Sequence, residues 1–333
     1  MANEAYKDKY LDEEAIWLKT DKYIAAVLPN IGGNLIAFRE PAKGYRFLHE
    51  PTEQEWESFK GRPMIHGIPV LFPPNRYEDG KFTLNGRDYR FPVNEARTGN
   101  HLHGFFYNIP WTVTNYSANE QGSTVTLFQD VDERHSAYEH FPHRFTMTLT
   151  YSLSDKDGLV QHIAIANRGT EAMPCMVAFH TAVNAPFAPG SSAKDCRFKA
   201  TIGKRWELSE RMLPTGKFQE MSAAEKKIQG DGQYPFFESM DNHYTSEPQN
   251  GRNFMTLTDD KVGARLVYEV GLGYKQWMIW NNGAQEGFFC PEPQVNLVNA
   301  PNVDVPADLS GLLLLAPGET WAETCRLYSE VTA

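Results

Sequence analysis

The sequence predicts an all-β protein of antiparallel sheets with few short helices, and three observations carry that expectation. Phe145, Met147, Leu149, Tyr151 and Leu153 alternate with Thr146, Thr148, Thr150 and Ser152, the period-two pattern of a half-buried strand. Further β-rich runs occupy Thr124 to Phe128, Leu159 to Ala166, Ala264 to Val270, Trp277 to Trp280 and Trp321 to Tyr328, spaced by Gly, Asn, Asp and Pro turns. Helix signals are sparse. Ser222-Ala223-Ala224-Glu225 and Thr52-Glu53-Gln54-Glu55 have capping-box spacing, but neither leads into a run long enough to form a layer. Strands that succeed one another without crossover helices pair antiparallel.

Asn85-Gly86 stands between Lys81–Leu84 and Arg87–Phe91. Asn-Gly readily takes the positive φ values of a tight turn, so a hairpin is expected there. Pro186 to Ser192 carries two prolines and a glycine, which interrupt helix and strand alike and predict a surface loop. No repeat, low-complexity tract or linker divides the chain. All-β units often run long, and residues 1–333 are therefore expected to form a single domain.

Composition narrows the function classes. With 41% hydrophobic and 13% aromatic residues, the chain has material for a large core. A formal net charge of −10 disfavours nucleic acid and anionic membranes, because phosphate binding needs concentrated Lys and Arg, and a neutral small molecule is the better partner. Met1 to Glu13 is polar and charged, and no later stretch reaches the length of a membrane span, so a cytoplasmic location is expected. Cys175, Cys196, Cys290 and Cys325 lie far apart without a C-x-x-C pair and read as reduced, mostly buried thiols.

Three segments stand out as carriers of chemistry. Asn100-His101-Leu102-His103-Gly104 sets two imidazoles two residues apart, which on an extended backbone puts them on one face. That spacing is open to a metal pair, to a proton or hydrogen-bond donor with its support, or to structural histidines. Pro174 to His180 is an apolar run ending in an imidazole, placing His180 where a buried strand emerges, either as a catalytic group or as a hydrogen-bonded strand end. Asn184, four residues on, is expected beside it in the same turn. Phe288 to Gln294 embeds Glu292 among aromatic and proline residues. Desolvation there would raise its proton affinity toward that of a base working near neutral pH, whereas exposure in a Pro-rich turn would leave it inert.

Taken in order along the chain, these segments resemble the aldose 1-epimerase (galactose mutarotase) family, and the resemblance covers nearly the whole sequence. Pro29 to Leu35 is similar to the family's early Gly-rich strand turn, and Gly67 to Arg76 ends in an Asn75-Arg76 pair like its substrate-binding pair. By the resemblance, His103, directly before Gly104, faces the sugar, and His180 to Asn184 supplies the general acid and a neighbouring Asn. Asp241 is similar to a sugar-binding aspartate, and Glu292 is the general base, shortly before the Asn299 to Asn302 run. Phe105 in place of a second Gly, and Thr181-Ala182-Val183 in place of Pro-Tyr-Phe, depart from the family pattern and bear on specificity.

The resemblance implies a β supersandwich with the sugar in an open cleft, no metal and no cofactor. It also implies an isomerase that opens and recloses a pyranose through acid–base exchange by Glu292 and His180, aided by His103. Burial should draw the proton affinities of that pair together. Asn75, Arg76, Asp241 and Asn184 would bind the sugar, with Trp277 and Trp280 as stacking candidates. Two alternatives remain beside this one: a hexose-6-phosphate 1-epimerase, to which Arg62, Arg76 and Arg97 would bring positive charge, and a carbohydrate-binding protein without catalysis. A metal-dependent enzyme built on His101 and His103 is a more distant third. Oligomeric state and the physiological sugar are not legible.

Overall fold

Strand Phe145–Ser154 realises the period-two pattern, its alternate side chains buried from Phe145 to Leu153. It sits inside an eight-stranded sheet ordered Thr112–Asn119, Gly122–Val131, Phe145–Ser154, Gly158–Asn167, Thr320–Val331, Ala264–Val270, Asn253–Asp259 and Cys196–Ala200. The structure, a computed structural model, describes residues 2–332. All five β-rich runs read from the sequence fall within strands, and every strand-to-strand pairing among the described residues is antiparallel, with one isolated parallel bridge between Phe72 and Gly104.

A second large sheet runs Pro214–Gln219, Ile202–Leu208, Asp241–Ser246, Gln276–Trp280, Gly287–Gln294, Ala178–Phe179 and Val70–Leu71, with Val183–Ala185 also pairing with Gly287–Gln294. The first strands, from Glu4–Tyr10 to Tyr45–Arg46, form a five-stranded meander. One buried apolar cluster extends from Ile16 to Leu327 and draws side chains from all three sheets.

The hairpin closes at Leu84 and Arg87, with Asn85 at φ 52° and Gly86 at φ 76°, the paired positive values that a two-residue hairpin turn of this twist requires. Ser222 and Glu225 form their reciprocal cap on helix Ala223–Gln229. Thr52 and Glu55 also bond reciprocally, but they close a separate turn, and the helix begins after it, at Trp56–Gly61. All four cysteines are buried free thiols. The segment from Pro186 to Ser192 is irregular as expected but not wholly on the surface: Phe187 and Ala188 are buried, with Phe187 packed 5.3 Å from the rings of both Tyr45 and Phe47. Proline blocks regular backbone bonding, not burial.

Candidate active site

The cleft originates in a break in the second sheet. Strand Gly287–Gln294 pairs along one side with Gln276–Trp280, from Cys290 to Gln294. On its other side it finds partners only at Gly287, Phe288 and Phe289, and again at Gln294. Between those pairings stand Pro291 and Pro293, which bring no N–H to a ladder. The sequence allowed an exposed Pro-rich turn here; instead the prolines coincide with a one-sided gap in a central strand, and Glu292 between them is fully buried. The chain from Ala178–Phe179 continues through the gap. His180 N donates to Pro69 O at 3.0 Å and Ala182 N to Gly67 O at 2.9 Å, which brings the His180 ring over the carboxylate.

The register sets the floor. Glu292 lies opposite Met278, and Trp280 lies opposite Asp241, so alternate residues of three strands share a face. Asn75, Arg76, His103, His180, Asp241 and Glu292 all line one cleft of about 660 Å³, together with Arg62, Met64, Ile65, Asn94, Glu95, Leu102, Tyr107, Met278 and Trp280. The six come from five separate stretches of chain.

The His101–His103 segment differs from the extended backbone expected of it. The strand Asn100–Leu102 ends before His103, which takes φ 71°, so the two imidazoles do not share a face. Gly104 follows at φ 71°, packed so closely that a Cβ would lie 2.2 Å from Phe72 O, and His103 N donates to Asn75 O at 2.9 Å. His101 has both nitrogens engaged: Nδ1 lies 2.8 Å from Pro92 O and Nε2 accepts from Gly104 N at 3.1 Å. This rules out a metal pair and makes His101 the support that holds the turn. His103 stands edge-on to His180, with ring centroids 5.3 Å apart.

Two binding candidates lie elsewhere. Asn184 is not in the cleft; its Nδ2 donates to Arg46 O at 2.9 Å and Leu48 O at 2.8 Å. After His180 the chain runs along Gly67–Pro69 and into strand Val183–Ala185, where Asn184 lies opposite Phe288, instead of folding back beside the imidazole. Trp277 points away from Trp280 into the core, fully buried and donating to Asn253 Oδ1 at 2.9 Å; only Trp280 reaches the cleft. The alternation of that strand, correctly applied, would have separated the two and flagged Met278. Arg97 lies outside the cleft lining.

Electrostatics at the centre are unusual. His180 Nε2 is 3.2 Å from Glu292 Oε1, yet the contact is not aligned as a hydrogen bond, and Oε1 has no partner. Gln294 Nε2 reaches Oε2 at 3.4 Å. Burial pushes the Glu292 carboxyl well above the usual carboxylate range, and the charge of Asp241 adds to the rise. Burial pulls His180 down to about 4. His103 is also held well below its ordinary value, first by burial and then by His180 and Arg76. In addition to Glu292 Oε1, the atoms His103 Nδ1, His180 Nδ1, Asp241 Oδ1 and His243 Nε2 are buried without partners. Such groups cost roughly 1–3 kcal/mol each when left unsatisfied, and their concentration at one place marks a site awaiting a polar ligand or water.

The Asn299 to Asn302 run also has a structural task beside the site. Asn299 Oδ1 accepts from Glu78 N at 3.1 Å and Asn302 Nδ2 donates to Lys81 O at 2.9 Å. The first fastens the strand that carries Arg76, the second the strand Lys81–Leu84 that follows it.

Among the described residues, His49, Glu55 and His66 bring potential ligand atoms within 4.8 Å of one another. The two rings stack 4.6 Å apart at 13°, so their lone pairs, which lie in the ring planes, run side by side rather than converging on an ion.

The architecture and the buried acid–base cleft place the molecule among galactose mutarotase-like β proteins. The chain belongs to the aldose 1-epimerase family, whose model it matches over residues 14–328. A galactose mutarotase-like protein from Clostridium acetobutylicum shares 34% identity over 99% of both chains, with a TM-score of 0.94. The Rattus norvegicus galactose mutarotase is 26% identical over 49% of this chain and 44% of its own, and Escherichia coli YihR, a protein described as uncharacterized, is 26% identical over 50% and 48%. These curated relatives are thus matched over less than half of their own length. No helix among the described residues is long and apolar enough to cross a membrane.

Proposed function

We propose that the protein interconverts the α and β anomers of a free aldose by acid–base opening and closing of the pyranose ring. The observation that carries this reading is the 3.2 Å approach of His180 to Glu292 in a buried cleft that also holds His103, Arg76, Asn75 and Asp241. The reaction removes the C1 hydroxyl proton and delivers a proton to the ring oxygen as the C1–O5 bond breaks. Rotation about C1–C2 then exposes the other face of the aldehyde, and closure reverses both transfers.

Glu292 is the base toward C1, His180 the acid toward the ring oxygen, and His103 a hydrogen-bond partner of the opening oxygen. This assignment needs one proton shared by the pair. Burial favours that proton on Glu292 over His180, since it raises the affinity of the carboxylate and lowers that of the imidazole to about 4. Sugar hydroxyls hydrogen-bonding to the carboxylate favour its charged form. The proton then passes across the short gap to His180, and the pair becomes a carboxylate base beside an imidazolium acid. Each member contributes roughly 10²- to 10⁴-fold in rate. Trp280, in the cleft lining, offers an aromatic face for the sugar's C–H groups.

One observation favours a second reading, in which the sugar carries a phosphate or another anionic group. Arg62 lines the cleft, and its side chain has no hydrogen bond or ion pair among the described residues, whereas Arg76 is paired with Glu95 and Asp241. Polarimetry or NMR exchange across free and phosphorylated aldoses tests both readings. Acceleration of a free aldose supports the first, acceleration confined to anionic sugars supports the second, and acceleration of none sinks both.

A further inference from the structure

Arg76 has five N–H donors in a rigid fork, and the protein uses one side of that fork. Its Nε lies 3.2 and 3.0 Å from the two oxygens of Glu95, and Nη2 donates to Glu95 Oε1 at 3.1 Å. Nη2 also reaches Asp241 Oδ2 at 3.3 Å. Nη1 makes no hydrogen bond within the protein among the described residues. Glu95 is held in turn by the Thr98 hydroxyl, with both its oxygens engaged.

Asp241 is left half-paired by this arrangement: Oδ2 accepts from Arg76, while Oδ1 is buried without a partner. A guanidinium facing a lone carboxylate prefers a two-bond fork. What prevents Arg76 from closing fully on Asp241 is the competing fork to Glu95.

We propose that Glu95 is a positioning residue, which by clamping the Nε–Nη2 edge of Arg76 keeps Nη1 and Asp241 Oδ1 free to bind sugar hydroxyls. This rests on the sugar-binding reading above and deepens it. Without Glu95, the arginine swings onto Asp241 and the two groups neutralise each other, removing a donor and an acceptor from the cleft together. A charge-assisted bidentate pair fixes orientation as well as energy, and in a constellation of this kind displacement of about 1 Å costs on the order of 10²-fold.

The test compares Glu95→Ala with Glu95→Gln. Gln keeps a carbonyl to accept from Arg76 and turns its amide toward the Thr98 hydroxyl, so geometry survives without the charge. For the best aldose of the wild-type panel, Glu95→Ala should raise KM about tenfold or more with kcat within about threefold, and Glu95→Gln should recover most of that loss. A residue that serves only folding would lower the melting temperature and the active fraction while the surviving enzyme kept the wild-type KM, and that result overturns the proposal. A crystal structure of Glu95→Ala gives a second readout that needs no substrate: Arg76 should pair with Asp241 through two bonds. If wild type accelerates no sugar, the functional reading fails, and this structure still decides the role of Glu95. An Arg76 unmoved from its present rotamer would refute it.

Discussion

Glu225 and Glu292 are both buried to 0% exposure, and strand Asp241–Ser246 borders the surroundings of each, yet the two carboxylates are treated in opposite ways. Glu225 accepts from Ser222 N at 2.7 Å, Arg205 Nη1 at 2.9 Å, Tyr244 OH at 2.6 Å and Asn242 Nδ2 at 3.4 Å. Glu292 receives one long bond from Gln294 and a misaligned imidazole. Asn242 and Tyr244 project from one face of the strand toward Glu225, while Asp241 projects from the other into the cleft. A carboxylate that only holds the fold is fully satisfied. The one proposed to gain and lose a proton is left short of partners, because every fixed donor to its charged form would lower its proton affinity.

The comparison can be broken most decisively at Glu292. Replacing it with Gln should cut turnover by roughly 10²- to 10⁴-fold, leave sugar binding largely intact and leave the thermal midpoint unchanged or raised, since an under-bonded buried acid is lost. Polarimetry alongside a thermal melt measures both, and retained full activity would remove Glu292 from the chemistry.

Glu225→Ala should do the reverse. Breaking a buried pair by removing one partner costs about 3–5 kcal/mol, visible in urea denaturation, while kcat/KM per folded molecule stays near wild type.

The smallest effect is a displaced pH limb. In the proposed mechanism the pair carries one proton and is silenced when His180 takes a second, so kcat/KM should hold through pH 6.5 and fall only near pH 4, where burial moves the imidazole. A limb near the ordinary value of about 6.5 would show that His180 is solvated and that the contrast with Glu225 is overstated. The same displacement bears on stability. A histidine with a depressed folded pKa contributes fully above about pH 6.5 and loses that contribution as pH falls toward 4, where the unfolded chain takes up the proton first. His66, His101 and His143, each held down to about 4 chiefly by burial, add to this acid sensitivity.

Much of the scaffold was legible because strand signals are local. The Thr alternation of Phe145–Ser154, the Asn85-Gly86 turn and the Ser222 cap each follow from a few consecutive residues and their backbone preferences. The motifs also named His103, His180, Glu292, Asn75, Arg76 and Asp241, which the fold gathers into one cleft. Where the reading strayed, backbone direction was the cause: the positive φ of His103 broke an assumed alternation, and the path from His180 into strand Val183–Ala185 carried Asn184 away. Arg62 and Trp280, named as candidates from the sequence, do line the cleft, whereas Glu95 and Tyr107 had no distinguishing spacing, since what singles them out is a contact made across the chain.

By itself, then, the sequence determined the strand-rich architecture, the reduced and mostly buried thiols and which residue types are equipped for proton exchange, because these depend on near neighbours and side-chain chemistry. Only the tertiary structure decided that two prolines open a gap on one side of a central strand, that His180 crosses that gap to Glu292, and that Glu95 restrains Arg76. Those are relations between segments far apart in the chain, and the burial that shifts the proton affinities of the central pair exists only after those segments have packed together.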